Sequence, residues 1–500
     1  MSKKWEEILG IDLRSLALFR IALALLLLVY LSVLATDLTL FYTDQGVLPR
    51  SLLFETYPYP RIDLHSINGS TSFVAFLFLI QMTLAVFLLV GWKTGIVTAL
   101  SWLLLTSLHA RNPMLLHSGD YLLRILFFWS LFLPLGARFS LDRLLHPSSE
   151  KLPARFFSAG SAALLIQVFL VYAFAAHAKW INADWFAGRG VILSIGTTRY
   201  ASRLGLELLK APEFLLKGFS HLALGFETVG PLLLFSPFLT APLRLIGIAG
   251  FFLLQAGFGL SLTLGCFPWI SSIAVLPFVP GLFWERIGQS RRVQNLLQMK
   301  ERLGAALRGR LSHLKPGPLR LGSSKLGNAA AFFSLIYIIW WNLTSTFPVR
   351  VAMPPGLSIP GRVFFLDQRW NMFSPLDHDN AWFVIVGQRK DGRWVDLHQK
   401  RLKKYRWKQP RRIAAFFKNM PRNKYLYHLG SPAYVKHRAV YSQILCRQWN
   451  RRHSGVKRLR RVQIYWMHQQ FYPVRGKPSK SLLSNHYCRG KPPSPGPPAP

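Results

Sequence analysis

The chain has 500 residues, of which 51% are hydrophobic and only 16% charged, and it carries a formal net charge of +40. The apolar residues come in blocks, which excludes a plain string of soluble domains. Three cysteines, Cys266, Cys446 and Cys488, are too few and too scattered for a disulfide scaffold or a zinc site.

The basic start Met1-Ser2-Lys3-Lys4 looks like that of a signal peptide. Arg20 interrupts the block that follows and no small-residue cleavage site comes after it, so this block reads as a retained helix. Apolar runs of about 18 or more residues read as bilayer-spanning helices. Such runs occupy 15–35, 72–90, 125–135 with its flanks, 162–178, 222–239, 245–264 and 329–346, and shorter ones fill 96–109 and 270–282. Together they predict a membrane α-helical bundle of about nine transmembrane helices over 12–347. Within a cytoplasmic loop at 285–327, residues 285–311 place arginines between apolar positions at helical spacing, as an interfacial amphipathic helix does.

The basic short loops 138–155 and 286–325 favour an N-terminus inside. Nine spans then place the C-terminal part outside, on the periplasmic side of a bacterial inner membrane. That part, 348–475, reads as a small α+β domain. "NAWFVIVGQRKDGRWVDLH" has an Asp391-Gly392 turn signal between two strand-like runs, "VQIYWMHQQF" is a further strand, and "AVYSQILCRQWNRRH" has helical periodicity. Residues 476–500 are Pro-rich and cannot bury a core. From Arg350 onward there are 31 Lys plus Arg against five Asp and no Glu. Beside a membrane, such a domain is expected to rest on anionic lipid rather than on nucleic acid.

Ionisable residues inside apolar spans usually face the bundle interior and pair with something. Those here are Arg20, Asp120, Arg124, Glu227 and the His177/Lys179 pair. In "RNPMLLHSGDYLLR", Asn112 can cap a helix starting at Pro113. Asp120 and Arg124 are then spaced for a helix ion pair, and His117 lies on the same face as Asp120. This is either an imidazole backed by a carboxylate or a structural ion pair with a boundary histidine. In "HAKWINADW", Lys179 and Asn182 can meet, whereas His177 and Lys179 point to different faces. With Trp180 and Trp185 at hand, the stretch reads as a polar and aromatic collar. Glu227 is the most deeply placed acid, its expected partner Arg20 or Arg124, its functional alternative a proton relay or a contact to a polar ligand head. The sequence has no Walker loop, dinucleotide fingerprint, His-Glu-x-x-His or Cys-x-x-Cys, so ATP-driven transport loses support.

Five stretches, "DLRSLALFRIALALLLL", "YTDQGVLPR", "HSGDYLLR", "AKWINADW" and "WNMFSP", resemble in order the HTTM family of membrane proteins related to the vitamin K-dependent γ-glutamyl carboxylase. The likeness runs from about Asp12 to Pro375, and "LCRQWN" followed by "RVQIYW" is similar to the tail of bacterial members. It implies a helical bundle with a β-containing extracytoplasmic domain. The carboxylase couples oxygenation of a reduced naphthoquinone to removal of a proton from glutamate, so that CO2 adds. The implied cofactor is thus a reduced vitamin K or menaquinol, and the implied partner a protein or peptide substrate. On this reading His117, Lys179 and Glu227 are the expected catalytic residues, and Trp180 and Gln255, with Asp120 and Arg124 from the helix pair, the expected contacts to the cofactor. The family's base falls on Trp180, whose indole cannot accept the proton. Lys179 is one position early, about 100° around a helix, and Gln255 stands where the family has a histidine. These departures count against glutamate carboxylation and leave quinol binding or oxygenation. Two other readings stand beside it: a non-enzymatic protein holding lipid or a partner through its basic domain, and a transporter with a Glu227–Arg20 relay.

Overall fold

The computed structural model describes residues 2–146, 152–292, 294–295, 308–311, 313, 315, 323–348, 350–398 and 407–488. Strand β1 (Ile11–Asp12) pairs with β2 (Arg155–Phe156) at one end of the bundle. Asp12 then caps α1 (Leu13–Ala35), its carboxylate taking Arg14 N–H at 2.8 Å and gripping the Arg14 guanidinium at 2.7 Å. Helix α2 (Thr71–Val90) starts on the Ser70 hydroxyl and stops at Gly91, whose φ of 74° lets the chain turn into α3 (Thr94–Arg111). Helix α4 (Ser118–Ser130) follows, then α5 (Ala159–Trp180), opened by a Ser158–Ser161 capping box. After the short α6 (Gly190–Gly196) come α7 (Glu213–Leu234), α8 (Thr240–Ser261), α9 (Phe267–Ala274), α10 (Gly281–Gly288) and α11 (Lys325–Thr346).

Among the described residues, α1, α2, α5, α8 and α11 are long and apolar enough to cross a bilayer; a sixth span results if Phe267–Phe278 and Gly281–Gly288, bent by 86°, count as one. The nine spans expected from the apolar runs are thus not confirmed: five or six pass on length and composition. The run at 125–135 lies in α4, whose 13 residues reach about 20 Å against roughly 30 Å of hydrocarbon. Its side chains are buried on nearly every side, so it is apolar because it is interior. The run at 96–109 ends in the polar turn of His109 and Arg111, α7 carries Glu213, Lys217 and Glu227, and 270–282 bends at Pro277 and Pro280.

The helices run in alternation between two faces. One collects the start of α1, the α2–α3 turn and α10: Ser15 Oγ donates to Val279 O at 2.7 Å, Arg20 to Phe139 O at 2.5 Å, and Asp142 accepts from Lys93 N–H at 2.7 Å. The other meets the C-terminal domain, where Arg422 grips Asp37 (2.5 Å), Tyr57 touches Tyr434 (3.2 Å) and Thr198 N–H donates to Asn380 (2.8 Å).

That domain is an antiparallel sheet of order β4-β3-β5-β6, with β3 at Asp379–Arg389, β4 at Trp394–Asp396, β5 at Leu459–Gln470 and β6 at Ser479–Tyr487. The Asp391-Gly392 hairpin and the strand at "VQIYWMHQQF" form as the alternation predicts. Helices α12 (Met420–Gly430) and α13 (Val435–Arg452) accompany the sheet, α13 covering "AVYSQILCRQWN". Cys446 on α13 is bonded to Cys488 just past β6, a pairing that the scattered cysteines gave no reason to expect. Of the expected surface helix, α10 covers the first residues, while 296–307 lie outside the described residues; the tail expected to be disordered from 476 instead supplies β6 at Ser479–Tyr487, pairing with β5, and only its residues from 489 lie outside the described ones.

Candidate functional site

Helix α4 does not begin at Pro113. Residues Pro113–Leu115 form a separate 3₁₀ turn, and the Asn112 amide donates to Phe41 O at 2.8 Å instead of capping. The cap is His117. Its Nδ1 accepts from Gly119 N–H at 3.0 Å, and Asp120 closes the box by accepting from His117 N–H at 2.8 Å. With Nδ1 engaged as an acceptor, the neutral imidazole carries its proton on Nε2, 3.5 Å from Asp120 Oδ2. The expected imidazole and carboxylate are thus together, joined by a helix start rather than a helix face.

Asp120 does not pair with Arg124. Its other oxygen accepts from the Tyr30 hydroxyl at 2.8 Å, which in turn meets His109 Nε2 at 3.0 Å. Arg124 reaches His109 Nδ1 at 3.4 Å, Phe365 O at 3.0 Å and Asp367 at 3.5 Å. The donor directions are mutually consistent: Arg124 donates to His109 Nδ1, His109 Nε2–H to Tyr30, and Tyr30 to Asp120. A guanidinium and a carboxylate one helical turn apart are therefore linked through an imidazole and a phenol, both buried. Such a chain polarises each member in turn.

His117, Asp120, Tyr30 and His109 line the polar end of a cavity of about 680 Å³. The rest of its wall is largely apolar, drawn from α1 and from Cys266, Trp269 and Ile273. Leu25 and Val29 of α1 and Trp269 of α9 are 48%, 56% and 69% exposed, so the chamber opens sideways between α1 and α9, where lipid surrounds a bundle. Residues 418–421, at the start of α12, close it on the domain side.

Lys179 and Glu227 form a second polar cluster. Both are buried, and the Lys179 ammonium is hydrogen-bonded to the Glu227 carboxylate and lies 5.3 Å from the centre of the Trp185 ring. Glu227 therefore has Lys179 as its partner, not Arg20 or Arg124. Arg20 lies on the far face at Phe139, which removes the Glu227–Arg20 relay. Gln255 holds the Tyr172 hydroxyl at 3.3 Å in the same region. Trp180 is half exposed and donates to Thr228 at 2.9 Å, pointing away from both clusters. Helix α9 packs against α4 on one side and α8 on the other, with the wholly buried Ile270 against Gly119. The two clusters are thus not one site, and neither Lys179 nor Glu227 lines a cavity at His117.

The "AKWINADW" collar has a different use. Asn182 does not meet the Lys179 side chain; its oxygen caps the next turn at Asp184 and Trp185 N–H. Trp185 Nε1 donates to Phe373 O (2.7 Å), Ser374 Oγ to Ala178 O (2.6 Å), and His378 Nε2 lies 2.8 Å from Asp184. Burial raises the Asp184 pKa, but hydrogen bonds from His378 and Arg189 outweigh this and hold it below the ordinary carboxylate range. The collar clasps the "WNMFSP" loop, and the clasped loop lines a second cavity of about 250 Å³. His117 and Met420 belong to both linings.

Tyr30 and His109 were not singled out by the sequence. Tyr30 sits in an uninterrupted apolar run; His109, at the polar end of another and eight residues before His117, offered the only hint. The other motifs are structural. Asp44 of "YTDQGVLPR" ties Arg50 (2.8 Å) and Gly69 O (2.9 Å) into a loop that Arg111 braces at Leu48 O (2.8 Å).

A family model described as the HTTM domain matches residues 10–282. No curated protein and no solved structure matches the chain.

Proposed function

Because the chain belongs to the HTTM family, whose model covers more than half of it, we propose that this membrane protein of the carboxylase-related group binds a reduced naphthoquinone in the chamber at His117. The observation that carries the reading is the chamber's shape: one polar end and one apolar opening toward lipid. A cleft of this size with few, convergent polar groups suits a ring-bearing amphiphile. The apolar residues of α1 would flank the ring, His117 Nε2–H would donate to a ring oxygen, and Asp120 would accept a hydroxyl proton. Bound there, a quinol supplies an oxidisable ring with two exchangeable protons.

The chain's own contribution is to hold and polarise. The Arg124–His109–Tyr30 series keeps the Asp120 carboxylate oriented toward the chamber's polar end. Glutamate carboxylation is not part of the proposal, since Lys179 is committed to Glu227 and faces neither cavity. An extracytoplasmic C-terminal domain, with the N-terminus inside, is supported by the Cys446–Cys488 bond, because disulfides persist in oxidising compartments.

The test is extraction into nanodiscs with native quinones, followed by mass analysis of bound small molecules and titration with a reduced menaquinone. A stoichiometric quinone, displaced in Asp120→Asn and weakened at least tenfold in Tyr30→Phe, is expected. Recovery of phospholipid alone, with no saturable quinol binding, would refute the reading and favour a lipid-holding role.

A further inference from the structure

Beside the chamber, and independent of what fills it, the 250 Å³ cavity lies between α6, the 371–377 loop and α12. Arg199 lines it and is only 7% exposed. Its Nη2 donates to the Tyr200 hydroxyl, but Nε and Nη1 are sealed from solvent without a partner. Arg199 forms no ion pair among the described residues. The ring centres of Tyr427 and Tyr200 lie 3.6 and 4.4 Å from the guanidinium carbon, contacts that leave Nε and Nη1 unanswered. Ser194, equally buried, also lines the cavity, and its Oγ has no partner. Lys424 adds a second positive charge to the lining, and the exposed Asp377 is its one carboxylate.

A buried guanidinium with open donors is unfavourable unless something answers it. A purely structural clamp does not explain it. Docking of α12 at this point uses the Arg199 carbonyl, which accepts from the Asn423 amide at 3.2 Å, and the guanidinium's face against Tyr427; neither contact answers Nε or Nη1. We propose that this cavity is an oxyanion site, in which Arg199, with Lys424 and the Ser194 hydroxyl, receives a carboxylate or phosphate group. His117, shared with the chamber, puts this group next to whatever the chamber holds.

The group can come from a free small anion or from a lipid headgroup, and the full chain in nanodiscs separates the two. In discs of phosphatidylcholine without quinone, titration with acetate and with inorganic phosphate is followed by thermal shift. At least one is expected to bind saturably, with affinity reduced tenfold or more in Arg199→Gln and partly kept in Arg199→Lys. Asp377→Asn removes a like charge and is expected to tighten binding severalfold, while Ser194→Ala weakens it with little change in the anion-free melting temperature. If a headgroup is the source, discs containing phosphatidylglycerol stabilise the wild type but not Arg199→Gln, and free phosphate competes. The proposal is overturned if neither anion nor phosphatidylglycerol distinguishes the wild type from Arg199→Gln and Ser194→Ala, or if Asp377→Asn weakens anion binding. Absence of quinol binding would leave every one of these outcomes intact.

Discussion

Replacing Lys179 by Met removes the only ionic partner that Glu227 has among the described residues and strands a carboxylate in the bundle interior. Breaking one side of a buried pair costs about 3–5 kcal/mol. At roughly 2 °C per kcal/mol for a chain at the large end of the calibrated range, the apparent melting temperature should fall by about 6–10 °C. Glu227→Leu should fall comparably, since it strands the ammonium beside Trp185. The double variant Lys179→Met/Glu227→Leu should recover most of the loss, because an apolar replacement of both charges is commonly neutral or better. With each single variant losing about 3–5 kcal/mol and the double little, the coupling between the two sites should be about 5 kcal/mol or more. The assay is thermal unfolding of the four proteins in the same nanodiscs, with quinol binding measured on the folded fraction and expected to be unchanged. Single variants that melt like the wild type but no longer bind or turn over quinol would refute the reasoning and make the pair part of the site.

Four further outcomes are expected. His117→Asn keeps a capping side chain and should melt within a degree or two of the wild type while losing quinol affinity, whereas His117→Ala also loses a cap worth about 1 kcal/mol; equal binding in wild type and both variants would remove His117 from the chamber's function. Trp180→Lys places an amine at Thr228 on the outer side of α5, so no proton-abstracting activity should appear in a tritium-exchange assay. Cys446→Ser opens a cross-link between residues 42 apart, which removes about 4 kcal/mol by loop entropy; hydrogen exchange should rise in β6 and α13 and stay unchanged in α1–α5. Burial raises the Asp37 pKa, but hydrogen bonds from Arg422 and Asn419 outweigh this and leave it lowered. Its stabilisation is therefore present above the unfolded value near pH 3.9 and is lost as the pH falls through the lower folded value. Protease cleavage between α11 and β3 should rise below about pH 4 in the wild type, and Asp37→Asn should remove that step.

The bundle was legible wherever a helix faces lipid, because a lipid-facing helix must be apolar along its whole length. It was overread at α4, where the same composition marks an interior helix too short to cross. Periodicity in the C-terminal domain located the hairpin, β5 and α13 correctly, since a sheet with one packed face imposes alternation. The site was half legible. His117 and Asp120 stand three apart in one motif, and their contact follows from a capping box that local sequence encodes. Tyr30 and His109 come from α1 and α3, and only the packing of those helices brings a phenol and an imidazole onto Asp120. Lys179 and Glu227 were both singled out, yet their mutual pairing depends on how α5 lies along α7. Arg199 gave no signal, because a lone arginine after "TT" in a polar connection looks like any surface residue.

The family match ends at residue 282, but the compartment at His117 is not finished there. Residues 418–421 form its ceiling, and they arrive in the chain more than a hundred residues later. The helices therefore supply a vessel and the appendage a stopper. Replacing the appendage alone would leave His117 in place on the bundle and change only the length and polarity of the space above it, so the two properties are separable by exchange of one part of the chain.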